Sequence, residues 1–166
     1  MLISLSFGGG VFGVKLTAKD ICEVTGWSRD QLRALLDELP PYREWKSAAR
    51  VARRFSPTDL LFLSVVAHLE QSAGLRRSAI ARISTPLKEL LSRVTILTSP
   101  EVIFVSLTPP KAVAIQGALP AECGIVIRLA PIARKLHEYF GLHIVGGTEK
   151  QVALKLGPTV LSRRSA

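Results

Sequence analysis

Between Thr17 and Asp59 the sequence carries three capping boxes, and each marks the start of a helix. In such a box a Ser or Thr oxygen accepts an orphan N–H of the first turn, while an acid or amide three residues on returns the bond. Thr17-Ala18-Lys19-Asp20 leads into Ile21-Cys22-Glu23-Val24. This short helix is closed by Thr25-Gly26-Trp27, with Gly26 suited to the left-handed position beyond a helix end. Ser28-Arg29-Asp30-Gln31 opens a second helix with Leu32, Leu35, Leu36 and Leu39 on one face, and Pro40-Pro41 stops it. Ser56-Pro57-Thr58-Asp59 opens a third, with Pro57 at the tolerated first helical position. Its body, Leu60 to Gln71, is apolar enough to be largely buried.

Two short helices around a glycine-containing turn make the helix-turn-helix pattern, which an ordinary helical hairpin of a core shares. Read as a DNA reader, the second helix presents Ser28, Arg29, Gln31 and Arg33 from its N-terminal face, all able to donate to phosphates or base edges. The stretch Pro41 to Phe55 then carries Arg43, Lys46, Arg50, Arg53 and Arg54 against a single acid, Glu44. Two extended arms around Lys46 to Ala49 would form a basic wing beside the second helix, following phosphates or entering the minor groove. Trp45 is expected to pack and not to contact DNA. Beyond Gly74, Leu75 to Ile83 reads as a fourth helix burying Leu75, Ala79, Ile80 and Ile83, with Arg76, Arg77 and Arg82 on a solvated face.

The charge balance agrees with a polyanionic partner. The chain holds 22 Lys and Arg against 13 Asp and Glu, a net +9, and its pI is near 10.2. No apolar run approaches the roughly 18 residues of a membrane span, and no signal-peptide pattern opens the chain. The expected location is cytoplasmic, with no membrane partner. Cys22 and Cys123 stand far apart in unrelated contexts and read as small buried hydrophobes, not as a disulfide or thiolate metal site.

The order of elements resembles the DNA-binding domain of the MerR family of bacterial regulators and its excisionase-like relatives, over residues 16–84. The residues that carry the resemblance are Val24-Thr25-Gly26-Trp27-Ser28-Arg29-Asp30-Gln31-Leu32-Arg33, then Ala52-Arg53-Arg54-Phe55, then Ser56-Pro57-Thr58-Asp59-Leu60. Leu69 to Ile80, with Gly74-Leu75 at its centre, resembles a fourth family stretch. The resemblance implies a winged helix-turn-helix in which Arg33 contacts DNA, Arg53 anchors the end of the wing to phosphate and Ser28 caps the recognition helix near the backbone. With the residue-level reading, the candidate DNA contacts are Thr17, Ser28, Arg29, Gln31, Arg33, Arg43, Lys46, Arg50, Arg53 and Arg54.

The second half departs from that family, which continues into a long dimerising helix. Here Pro86 and a break near Arg93 are followed by two β-branched runs, Val102 to Leu107 and Ala112 to Gln116, around a Pro-containing turn. Cys123 to Leu129 is a third strand candidate, Pro131 begins an amphipathic helix ended by Gly141, and Gln151 to Leu156 is a further strand. The expected fold class is α+β. It comprises an arm or strand at 1–15, the winged helix-turn-helix at 16–93, a small antiparallel sheet plus helix unit at 94–161, and a mobile tail at 162–166. The second unit has a thin core that another subunit would complete, so a homodimer through 94–161 is expected.

No catalytic set, metal site or cofactor motif stands out. His137 and His143 fall on either side of the helix-breaking Gly141, and His68 reads as a core or edge histidine. Gly8-Gly9-Gly10-Val11-Phe12-Gly13 matches a dinucleotide fingerprint in letters, but Val14-Lys15-Leu16 continues extended where a helix must open. The expected function is therefore sequence-specific double-stranded DNA binding, without catalysis, by a bacterial or phage transcriptional regulator acting as a dimer. The alternatives are a protein-interaction module or an excisionase-like DNA-bending factor without a regulatory ligand, and no motif identifies a small-molecule effector.

Overall fold

Local capping predicts the helix starts, and the computed structural model, which describes residues 15–43, 53–93, 102–141, 143–144 and 152–153, has them there. Helix α1 spans Ala18–Thr25 and α2 spans Arg29–Glu38. Pro40-Pro41 ends α2 as expected, then opens one further turn, α3 (Pro40–Arg43). Helix α4 is Pro57–Gln71, buried along nearly its whole length from Asp59 to Ala67. The wing region with Trp45, Lys46 and Arg50, the N-terminal arm with its glycine run, and the 162–166 tail lie outside the described residues.

The expected fourth helix is too short at its C-terminal end. Helix α5 runs Arg77–Ser92, straight through Pro86. A proline inside a helix costs about 3 kcal/mol. Leu87 and Leu91 beyond it are 0% exposed, and each contributes about 1.5–3 kcal/mol by burial. Packing of two leucines outweighs the proline, so the helix continues.

Three strands follow: β1 (Val102–Leu107), β2 (Pro110–Ala114) and β3 (Ile125–Arg128). They form an antiparallel sheet in the order β2-β1-β3, with Phe104 opposite Val113 on one side and Val126 on the other. Helix α6 (Ala130–Tyr139) follows, and Gly141 has φ 66 as a helix-ending glycine. Strands β4 (His143–Ile144) and β5 (Val152–Ala153) pair with each other. The fold is α+β: among the described residues, six helices and a three-stranded antiparallel sheet with this small additional pair.

The core crosses the expected boundary between residues 93 and 94. Ile21, Leu35, Phe62 and Leu87 join Ile103, Val105, Ile127 and Leu136 in one buried cluster. Helix α5 packs on α4 and also on β1 and β2, so it covers the inner face of the sheet. Phe104 lies on the opposite face, buried to 3% exposure. Gly124 presses on its ring so closely that a Cβ there would overlap it. Two smaller expectations need correcting. Cys123 is exposed, because the segment joining β2 to β3 runs over the surface, while Cys22 is half-buried and burial pushes its thiol pKa up. Of the two places expected for His68, core or edge, the structure has the second: it is exposed on α4.

Candidate nucleic-acid interface

The turn between α1 and α2 is built from local bonds. The Gly26 N–H donates to the Cys22 carbonyl at 2.8 Å with φ 78, closing α1. The Thr25 hydroxyl donates to the Ile21 carbonyl at 2.7 Å. Ser28 then starts α2: its Oγ accepts the Gln31 N–H at 3.1 Å, and Gln31 Oε1 accepts the Ser28 N–H at 2.8 Å. At the other end of α1, Asp20 accepts the Thr17 N–H at 2.6 Å and the Thr17 hydroxyl at 2.7 Å.

Helices α4 and α5 brace that turn from behind. Trp27 is 6% exposed, and its Nε1–H donates to Glu70 Oε2 at 3.1 Å. The Arg77 Nε–H donates to Glu70 Oε1 at 2.7 Å, and the Arg77 guanidinium also lies 3.9 Å from Glu38 at the end of α2. The Gln71 amide donates to the Thr25 carbonyl at 3.1 Å. Neither arm of the brace was readable from spacing. Arg77, expected on a solvated face, is an internal tie, and Arg82, expected beside it, donates to the Leu107 carbonyl at 3.3 Å. The signal for the brace was the single tryptophan set between two caps, a residue that is usually buried with its N–H satisfied.

Helix α2 buries Leu32, Leu35 and Leu36 and leaves Arg29, Gln31 and Arg33 exposed. Arg29 and Arg33, four residues apart, share one row that continues to Asp37, whose carboxylate meets Arg53 at 3.8 Å. Gln31 does not share that row: at 100° per residue it points roughly 200° from Arg29, and its carbonyl is committed to Ser28. Helix α2 itself carries Asp30, Asp37 and Glu38 against two arginines, a net negative charge. The basic groups of this region are Arg29 and Arg33 on α2, half-buried Arg53 paired with Asp37, and the exposed Arg43 and Arg54. Of the remaining sequence candidates, Thr17 and Ser28 are exposed and capped as described, while Lys46 and Arg50 lie outside the described residues.

The chain that leads up to Arg43 and the chain that follows Arg54 are each fastened to the helical core. The Leu16 N–H donates to the Phe55 carbonyl at 2.9 Å and the Phe55 N–H to the Leu16 carbonyl at 2.8 Å, so the chain after Arg54 pairs beside the start of α1. At Asp59, burial pushes the carboxyl pKa up, but the Ser56 N–H and hydroxyl, the Tyr42 hydroxyl and the Lys88 ammonium outweigh it and hold it below its ordinary value. Burial, with the charge of Asp59, pushes the Tyr42 hydroxyl pKa up.

Elsewhere, Tyr139 of α6 donates to Asp20 Oδ1 at 2.6 Å, tying the C-terminal helix to the cap of α1. That bond, then those from Thr17, lower the Asp20 pKa to about 2, and the same contact raises Tyr139 to about 12. His137 is 5% exposed, with neither ring nitrogen hydrogen-bonded, and burial lowers its pKa. Among the described residues, no group of three or more His, Cys, Asp or Glu side chains is arranged to hold a metal ion. No helix among them is long and apolar enough to cross a membrane. In comparisons with known proteins, no family model, no curated protein and no solved structure matches this chain.

Proposed function

We propose that this chain is a sequence-specific double-stranded DNA-binding protein of the winged helix-turn-helix type, a transcriptional regulator working as a homodimer. The observation that carries the reading is the exposed pair Arg29 and Arg33 along a helix whose entry turn is braced by Trp27, Glu70 and Arg77, with half-buried Arg53 held beside it by Asp37. Arg29 and Arg33 have no carboxylate within ion-pair distance among the described residues. The net charge of +9 supplies the long-range attraction. Dimerisation follows from contact number: one short helix reads few base pairs, and two copies on a two-fold site double them.

The test is fluorescence anisotropy with a random duplex and with a site selected from genomic fragments, over a series of salt concentrations. Each phosphate contact steepens the plot of log affinity against log salt by about 0.9. Arg33→Glu is expected to abolish preference for the selected site, while Arg53→Ala weakens all duplexes alike. Binding that ignores salt refutes the reading and favours a protein-interaction module.

A further inference from the structure

Both oxygens of Asp59 are occupied, and by groups from the two ends of one stretch of chain. Oδ1 accepts the Tyr42 hydroxyl at 2.7 Å and lies 3.0 Å from Lys88 Nζ. Oδ2 accepts the Ser56 N–H at 2.9 Å and the Ser56 hydroxyl at 2.7 Å. Capping α4 requires only Ser56, so Tyr42 and Lys88 are additions that the helix start does not explain. Lys88 reinforces the assembly by lying 3.9 Å from the centre of the Tyr42 ring. Asp59 is 8% exposed and Tyr42 1%, surroundings in which bonds to a carboxylate are strong.

What lies just outside the clamp gives it a role. Arg43 follows Tyr42 directly, and Arg53 and Arg54 stand three and two residues before Ser56. Arg53 reaches Asp37 on α2 at 3.8 Å. We infer that Asp59 is a positioning residue for duplex binding: it pins Tyr42 to Ser56 and so holds Arg43 and the Arg53-Arg54 pair in fixed register with the Arg29–Arg33 row. This rests on the duplex-binding reading above. Groups fixed in advance lose less freedom on binding, so more of each phosphate contact appears as affinity.

The test uses Tyr42→Phe, which deletes one hydroxyl and leaves the ring and the Lys88 contact to Asp59, alongside Asp59→Asn. Three quantities are read on the full chain: the urea midpoint, the rate of tryptic cleavage after Arg43, Arg53 and Arg54 by mass spectrometry, and duplex affinity against salt. Tyr42→Phe is expected to speed those cleavages and weaken duplex binding about tenfold, with a salt slope shallower by about 1. A variant that only lowers the urea midpoint, with cleavage and salt slope unchanged, overturns the positioning role and leaves duplex binding intact. A wild-type chain that binds no duplex refutes the underlying reading instead. Should Asp59→Asn fail to fold, Tyr42→Phe still decides the matter.

Discussion

Glu70→Ala tests whether the turn before α2 is held from behind. The substitution removes the acceptor of the Trp27 Nε1–H, 3.1 Å away in a residue 6% exposed, and the partner of Arg77 at 2.7 Å. A buried donor left without a partner costs about 1–3 kcal/mol. The ion pair joins side chains 30% and 23% exposed, so its loss adds about 0.2–1 kcal/mol. Together the expected destabilisation is about 1–4 kcal/mol, and for a chain of this size each kcal/mol lowers Tm by roughly 2–4 °C. Glu70→Gln keeps an acceptor for Trp27 and loses only charge, so it should cost about 1 kcal/mol or less. Urea unfolding followed by far-UV circular dichroism gives these values without depending on the second tryptophan, Trp45. Trp27→Phe completes a double-mutant cycle with Glu70→Ala, with an expected coupling of about 1–2 kcal/mol. A Glu70→Ala protein within about 0.5 kcal/mol of wild type, or a cycle with no coupling, refutes the brace.

Two further predictions concern titration. The Asp20 pKa is lowered to about 2 and that of Tyr139 raised to about 12 by their shared bond. Its stabilisation is complete between the ordinary carboxylate and phenol ranges, and is lost as pH falls toward 2 or rises toward 12. Tyr139→Phe should therefore cost about 1 kcal/mol at neutral pH, discounted for partial exposure. A difference from wild type that stays constant from acid to alkaline pH would show that the hydrogen bond is not its source. His137→Leu should stabilise the protein at pH 7, because two unpaired ring nitrogens leave an apolar site. Burial lowers the His137 pKa, so wild type weakens as pH falls below the ordinary imidazole range and the gain should grow toward pH 5. A less stable His137→Leu variant at pH 7 would sink this account.

Helix starts were legible because capping is written in four adjacent residues. Thr17, Ser28 and Ser56 each begin a helix at the position their boxes mark. The leucine face of α2 and the antiparallel β1–β2 pair follow from equally local patterns. Illegible were the second uses of the same residues. Asp20 and Asp59 both read as caps, yet each has a second oxygen that accepts a tyrosine hydroxyl from far along the chain, Tyr139 and Tyr42. Short spacing rules carry no information about a partner 119 residues away. Pro86 misled for a related reason: its local cost is visible in sequence, while the burial of Leu87 and Leu91 that offsets it is decided by packing. At the candidate interface, sequence identified the exposed arginines of α2 but not the Asp37–Arg53 pair beside them.

Helix α5 touches the helical layer on one side and the strands on the other. It is a wall with two tenants, and neither half of the chain can be cut away without stripping apolar surface from it. A fragment ending at Ser92 would keep α2 and its arginines but leave α5 bare where β1 and β2 had lain. Such a piece belongs among sticky, poorly cooperative species, a poor stand-in for the intact chain. The same wall joins the sheet to α2, because α5 contacts both and its Arg77 holds Glu70 behind Trp27.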